Sequence, residues 1–488
     1  MTEVSSDSSV LSNLAALLPQ RGLLINGIWS DTDEHFPVRD KFSGTVLCEV
    51  AQASKAQVDN AIATAHAAFL KGPPPASERA RILERLRDLL AARRQQLRLL
   101  IVAESGFTLA DADGEIDRAL ITVRLCAEEA TRIVGDTVPF GSQPGAESRI
   151  GFTIRVPLGV VCAITPFNSP LNTVLHKICP AFAAGNPVVL KPSNLTPLTS
   201  ALVCECFLEA GIPPDYLALV QGSGSTVGSW LVENQTVAFY TFTGSTRVGA
   251  AIQQGAGLRK TQMELGSIAS TIVCADADLD KALPRIANAS FRKAGQVCTS
   301  IQRLYVHEDI IGEVNERLAR LAGDMKAGNP FNSETRVGPM ISEKEAERAV
   351  SWIEEARLGQ ARILQGGTRE GALMRPTVVT AAQSGMRVLD QEIFAPCVTT
   401  IPFQELNRAI SDANATPYGL AAGIFTADVG SALNAARSLR FGSIHINETS
   451  SARADAMPFG GVKASGFGHE GPRYAIRELT EERLITFN

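Results

Sequence analysis

The chain has no surplus of basic charge. Its 46 Lys and Arg stand against 51 Asp and Glu, so the bulk electrostatics collect neither nucleic acid nor an anionic membrane, although a local basic patch remains compatible with an anionic substrate. No apolar run approaches the roughly 20 residues a membrane-spanning helix needs; the most apolar stretch, Leu158–Phe167, is closed off by Pro170. The first twenty residues lack Lys, Arg and any sustained apolar segment. They match neither a secretory leader nor an Arg-rich transit peptide, and a cytoplasmic protein is expected. The nine cysteines are odd in number and contain no CxxC pair, which argues against a disulfide framework and a structural zinc site. No metal is expected. The closest pair, Cys204 and Cys206, falls in a helical pattern whose neighbours two apart point to different faces. The six histidines sit in no recognisable triad context, and the usual GxGxxG of dinucleotide folds is missing.

What is present is length and apolar content. At 488 residues and 45% hydrophobic, the chain exceeds one ordinary core and can fill two or three. Apolar positions at three- and four-residue spacing predict helices over Lys55–Lys71, Glu78–Glu104 and Ala112–Val134. From Gly159 the pattern becomes short apolar runs (Val160–Thr165, Pro187–Leu190, Tyr216–Gln221, Val237–Phe242, Ser270–Ala275) alternating with helical segments. That alternation predicts βαβ units around a parallel sheet buried on both faces. After Cys298 it resumes, with strands expected at Leu304–His307, Cys397–Pro402, Ala421–Phe425 and Gly442–Asn447 and helices at Glu343–Arg357 and Glu405–Asn414. The pieces 135–155 and Thr480–Asn488 fit neither pattern; they could pair as strands away from the domains, and exposed edges of that kind are commonly closed by another subunit.

Three elements carry chemistry. Gly295-Gln-Val-Cys298-Thr-Ser places a cysteine after a Gly-containing turn; one cysteine alone is more often a buried structural thiol. Met263-Glu264-Leu265-Gly266 ends an apolar segment with a carboxylate, where partial burial raises the proton affinity into the range of a general base. Thr165-Pro166-Phe167-Asn168-Ser169-Pro170 ends a strand with a side-chain amide between two prolines, suited to an oxyanion donor or simply to a turn. A Gly-rich turn, Phe242-Thr-Gly244-Ser245-Thr-Arg-Val-Gly249, follows a strand and opens a helix, the setting that favours a pyrophosphate. Gly222-Ser-Gly224-Ser-Thr-Val-Gly228 has a related but longer spacing.

In order, PFNSP, KPSNLTP, FTGSTRVG, ELG, GQVCTS, EIFAP and PFGGVKASGFG resemble the aldehyde dehydrogenase superfamily over nearly the whole chain, nearest in motif to the lactaldehyde, non-phosphorylating glyceraldehyde-phosphate and phosphonoacetaldehyde branch. The resemblance implies an α/β fold with two parallel-sheet domains and a small β oligomerisation element. Residues 1–134 and 156–264 would form the nucleotide-binding domain, 265–455 the catalytic domain, 135–155 and 476–488 the oligomerisation element and 456–475 a connecting segment. It implies oxidation of a small-molecule aldehyde to the acid through a thioester on Cys298, with Asn168 and the Cys298 N–H holding the oxyanion and Glu264 activating water. The presence of Glu264 favours hydrolysis over acyl transfer to coenzyme A.

Lys177 and Glu481 match positions associated with proton relay. The nucleotide, NAD or NADP, would meet Thr165, Phe167, Lys191, Ser193, Asn194, Gly224, Gly228, Phe242, Gly244, Ser245, Leu265, Glu392 and Phe394, with Lys191 on the adenosine ribose and Glu392 on the nicotinamide ribose. Asn194 departs from the frequent KPSE or KPAE carboxylate that repels a 2′-phosphate, so either nucleotide is expected to work. Ser267 replaces a frequent glycine, as in the same branch.

Channel positions fall on Ser169, Asn172, Thr173, His176, Val297, Thr299, Arg453 and Phe459. This polar set favours a small polar or anionic aldehyde, with Arg453 the candidate anion contact and Arg124 a weaker one. Ser169 and Val297 replace a His and an Arg of phosphonoacetaldehyde enzymes, which speaks against that substrate. A homodimer or homotetramer is implied. The competing readings are a non-catalytic member of the same fold, which would be expected to lose nucleophile or base, and a Cys-dependent hydrolase, which leaves the dinucleotide elements unexplained.

Overall fold

The computed structural model describes Leu14 and residues 16–488. Residues 1–13 and 15, on which most of the leaderless reading rests, lie outside the described residues. Among the described residues no helix is long and apolar enough to cross a membrane.

Eight strands form the first sheet, in the order Ile28–Ser30, Leu23–Ile25, Leu217–Leu219, Val188–Lys191, Val160–Ile164, Val237–Thr243, Lys260–Glu264 and Gly466–Phe467. The five strands from Leu217–Leu219 to Lys260–Glu264 run parallel, and antiparallel pieces close each edge. Both faces are buried, as a continuous apolar run requires. Along Val160–Ile164 the side chains alternate between two cores: Val161 and Ala163 join one with the helices Ala76–Ala92, Leu109–Ala130 and Asn172–Ala183, while Val160, Cys162 and Ile164 join the other with Lys55–Lys71.

The helix Lys55–Lys71 starts on a Ser54/Gln57 capping box and Leu109–Ala130 on a Thr108/Asp111 one. The single helix expected over Glu78–Glu104 is two, Ala76–Ala92 and Arg94–Ser105. Neither Gly nor Pro marks the break. Arg93 leaves helical geometry (φ −94°, ψ 19°) and pairs with Glu205 and Glu209 on Pro197–Ala210, a tertiary contact that periodicity does not reveal.

The second sheet has seven strands, in the order Arg362–Gln365, Thr377–Thr380, Cys397–Phe403, Ile301–His307, Ala269–Val273, Ala421–Phe425 and Ser443–Ile446. It is parallel except for the edge pair Arg362–Gln365 and Thr377–Thr380. The leftover pieces pair with each other: Thr480–Phe487 lies antiparallel to Ile150–Pro157, which also carries Thr137–Val138. The hairpin His35–Arg39 with Val46–Ala51 lacks a clean alternation and is not apparent from periodicity.

Candidate active site

Parallel strands in an α/β sheet place their carboxyl ends together, and ligands collect in the crevice beyond them. Here Val160–Ile164 runs into Thr165–Asn168, Val188–Lys191 ends on Lys191, and Thr243 and Glu264 stand side by side at the ends of neighbouring strands. Beyond these ends lies a cavity of about 950 Å³. Every residue expected to meet the nucleotide lines it: Thr165, Phe167, Lys191, Ser193, Asn194, Gly224, Gly228, Phe242, Gly244, Ser245, Leu265, Glu392 and Phe394. Arg247, within the FTGSTRVG turn but given no role from the sequence, and Arg348, outside every motif, also reach it.

The cavity fits a dinucleotide on three counts. The helix Thr246–Ala256 opens onto it with no side-chain cap from Ser245, leaving first-turn N–H groups for an anion. A Cβ on Gly244 would stand 2.5 Å from the Phe242 ring, so glycine there leaves the ring its place on the cavity wall. Thr165 Oγ1 and Glu264 Oε1 are buried there without hydrogen-bond partners, as groups awaiting a ligand would be. At the far wall Glu392 accepts from the Ser267 N–H at 2.9 Å, and burial pushes its carboxyl up to about 7. Phe394, at φ 49°, meets Phe167 edge-on at 6.0 Å. Burial lowers the Lys191 ammonium to about 8; it donates to the Pro192 carbonyl at 3.0 Å.

A second, tight cavity of about 60 Å³ adjoins the first, and Asn168, Glu264 and Cys298 line both. Eight of the nine cysteines are buried and Cys298 alone is half-buried. It stands on a strained loop: Lys293, Ala294 and Gly295 take φ of 53°, 52° and 67° in succession. A Cβ on Gly295 would fall 2.0 Å from the Ala395 carbonyl oxygen, so only glycine lets the loop approach that chain. Gln296 ties the loop down, its side chain accepting from the Ile341 N–H at 2.9 Å. Its carbonyl accepts from Asn168 Nδ2 at 2.9 Å, which fixes the amide beside the cysteine and leaves its second N–H free.

Burial, and then repulsion from Glu470, raises the Glu264 carboxyl to about 8; the neighbouring Cys298 thiol, Arg453 and Lys177 act against the rise. Burial and the Glu264 carboxylate push the Cys298 thiol well above its ordinary range. The two groups therefore compete for protons, and only one of them ionises readily at a time.

The remaining residues divide by charge pairing. Lys177 donates to Thr241 Oγ1 at 3.1 Å and Glu470 Oε1 at 3.3 Å. Glu481, named with it from the sequence, is exposed on Thr480–Phe487 opposite Val156; the buried carboxylate at Lys177 is Glu470, because the chain after Phe459 folds back and Glu470 exchanges backbone hydrogen bonds with it.

Arg453 lines the tight cavity, but its guanidinium is committed to Glu470 at 2.6 Å and lies 3.9 Å from the Phe459 ring centroid. Ser169, Asn172, Thr173, Val297, Thr299 and Phe459 also line this cavity. His176 does not. At 1% exposure its Nε2 is held at 2.9 Å by Asp455 and 3.3 Å by Thr122, so this expected substrate contact belongs to the supporting network. Arg124 is exposed and faces Glu128 at 3.9 Å, off the site.

Two arginines were not singled out from the sequence. Arg118, from helix Leu109–Ala130, and Arg292 both line the tight cavity and an outer hollow of about 320 Å³. Arg118 is paired with Asp455. Arg292 donates to Ser451 Oγ at 2.7 Å and has no carboxylate within 4.0 Å among the described residues. Its one sequence signal is the adjacent cation pair Arg292-Lys293 just before the GQVC turn. Lys293 itself is taken by Glu115 at 2.6 Å.

The model of the aldehyde dehydrogenase family matches residues 29–485. The chain belongs to that family. It is accordingly an NAD(P)-dependent oxidoreductase acting on aldehydes. It is 45% identical, over 96% of its length and 98% of the relative's, to a 3-sulfolactaldehyde dehydrogenase from Priestia aryabhattai. Among solved structures it is similar to aldehyde dehydrogenase 21 from Physcomitrella patens in complex with the reaction product succinate (TM-score 0.94, 33% identity, 96% and 98% of the two chains). It is also similar to betaine aldehyde dehydrogenase from Staphylococcus aureus in complex with NAD+ (TM-score 0.94, 30% identity, 98% and 97%).

Proposed function

We propose that the enzyme oxidises a short anionic aldehyde, of the sulfonate- or carboxylate-bearing kind, to the carboxylic acid. The observation that carries this reading is Arg292, a cation on the substrate cavity that meets a hydroxyl and no carboxylate. An uncompensated guanidinium beside hydroxyl groups is a site for an acid group. Ser451 and Thr299, 3.1 Å apart, complete it. The small cavity volume admits a few carbons, and an uncharged aliphatic chain would leave these polar groups unpaired. The names of two similar proteins, 3-sulfolactaldehyde dehydrogenase and an enzyme with succinate as product, point to the same class.

The chain's own residues account for the chemistry. Cys298, as thiolate, adds to the aldehyde carbon, and the oxyanion receives the free Asn168 amide hydrogen and the Cys298 N–H. A nicotinamide nucleotide, when bound, supplies the hydride acceptor. Glu264 then takes a proton from water, which attacks the thioester and frees Cys298. Lys177 and Glu470, at the back of Glu264, provide the route by which that proton leaves. Gly244, Ser245 and the following helix would hold the pyrophosphate, Lys191 and Asn194 the adenosine ribose, and Glu392 the other ribose. Asn194 brings no negative charge to this end, so both NAD and NADP are accepted. The sheet of Thr480–Phe487 and Ile150–Pro157 serves as a subunit contact in a homodimer or homotetramer.

The test is a panel of short aldehydes, neutral and anionic, each assayed with NAD and NADP by following reduced nucleotide. Anionic aldehydes are expected to give the highest kcat/KM; equal or better turnover of neutral ones of the same length sinks the reading.

A further inference from the structure

Asp455 is a buried carboxylate with an unusual number of donors. Arg118 Nε and Nη2 reach its two oxygens at 3.1 and 2.7 Å, Asn172 Nδ2 donates at 3.0 Å and His176 Nε2 stands at 2.9 Å. Its side chain is 3% exposed and that of Arg118 33%. Thr122 Oγ1 in turn donates to Asn172 Oδ1 at 2.8 Å, so the carboxylate cannot turn away from the arginine. The pair consumes one edge of the guanidinium. Nη1 makes no hydrogen bond among the described residues, and Arg118 lines both the tight cavity and the outer hollow.

The charges around the tight cavity then balance except for one. Lys293 is paired with Glu115, and Arg118 with Asp455. Lys177 and Arg453 share Glu470, and the second positive charge of that trio is met by the Glu264 carboxylate where it is ionised, as it is when it acts as the base. Burial disfavours the charged form of His176, against the pull of Asp455. Asp111 acts on Arg292 only at longer range, and Glu448 in the outer hollow is taken by Arg285 at 2.8 Å. Arg292 is left.

We propose that Asp455 sets the charge that the acid site accepts: by cancelling Arg118 while presenting its free edge, it leaves a cavity matched to one negative charge. Resting on the anionic-substrate reading, this makes sulfonate and carboxylate aldehydes substrates and disfavours phosphate or phosphonate dianions of the same length. A dianion would bring one charge with no cation to meet it into a confined, poorly hydrated space. Asp455 is a positioning residue, acting on the substrate through Arg118.

The experiment compares a three-carbon sulfonate aldehyde, its phosphate counterpart and a neutral three-carbon aldehyde at pH 8, where a phosphate monoester with a second pKa of about 6 is a dianion. The wild-type enzyme is expected to favour the sulfonate over the phosphate in kcat/KM by about tenfold or more, and Asp455→Asn to shrink that ratio by about fivefold or more. An unchanged ratio in a variant that keeps its Tm and nucleotide binding overturns the proposal while leaving the anionic reading intact. Wild-type preference for the neutral aldehyde removes both. Should Asp455→Asn not fold, inhibition of the wild-type enzyme decides: methanesulfonate is expected to compete better than methylphosphonate at a pH where the latter carries two charges. Equal or stronger competition by methylphosphonate overturns the proposal.

Discussion

Arg453 and Glu470 form a 2.6 Å ion pair against the face of Phe459, so the arginine that the sequence offered as the anion contact already has a counter-ion. Arg292, which has none within 4.0 Å among the described residues, is the arginine whose loss should be felt by the substrate. Arg292→Ala is expected to lower kcat/KM for anionic aldehydes by about 10²–10³ and to change neutral ones much less. Arg453→Ala should instead leave the buried Glu470 with Lys177 alone and cost about 1.5–3 kcal/mol of stability. Steady-state kinetics and thermal unfolding of the two variants separate the roles; an unaltered preference for anions in Arg292→Ala refutes its assignment.

Cys298 is the one cysteine of nine that is half-buried rather than buried. Brief alkylation of the native protein should label that position first and abolish oxidation in step, as read by peptide mass spectrometry beside the rate of nucleotide reduction. Cys298→Ser should lose about a thousandfold or more in kcat. Full activity in that variant would end the thioester mechanism.

Glu264 works as a base only when ionised, and its carboxyl is raised to about 8. Single-turnover decay of the thioester should therefore be slow at neutral pH, rise as pH climbs through about 8, and level off above it. Glu264→Gln should slow that decay by about 10²–10⁴-fold, remove the rise, and leave a burst of reduced nucleotide. A flat pH profile in the parent enzyme would contradict the role.

Asn194 stands on the nucleotide cavity where relatives often carry a carboxylate. Asn194→Glu should leave kcat/KM with NAD within a few-fold and lower that with NADP by about tenfold or more, through repulsion of the 2′-phosphate. A parent enzyme preferring NAD by more than about a thousandfold would refute dual use.

Phe152 and Phe487 stack across the paired strands at 6.3 Å, and Ile150, Leu484 and Phe487 are 67%, 54% and 57% exposed. Apolar side chains so placed on a narrow sheet call for cover. Leu484→Asp with Phe487→Asp is expected to shift the protein to a smaller species in sedimentation velocity; an unchanged sedimentation coefficient removes this strip from the subunit contact.

Much of the architecture was legible because strand and helix periods are local. The runs Val160–Thr165 and Ala421–Phe425 are apolar enough to be read as strands buried on both faces, and the capped helix Lys55–Lys71 coincides with its periodic pattern. The broken helix at Arg93 and the hairpin His35–Arg39 with Val46–Ala51 were not legible, since contacts with distant chain make them.

Residue type and motif order alone singled out Cys298, Glu264, Asn168 and the glycine turns, which the fold brings to two adjoining cavities, because each proposed role needs a particular side chain, or the lack of one. Which carboxylate meets Lys177, and which cation meets none, was decided only in three dimensions. Glu470, not Glu481, meets Lys177, and Arg292, not Arg453, lacks a carboxylate among the described residues. Charge pairing is a property of space rather than of sequence: an arginine reads the same in a string of letters whether or not a carboxylate has folded against it.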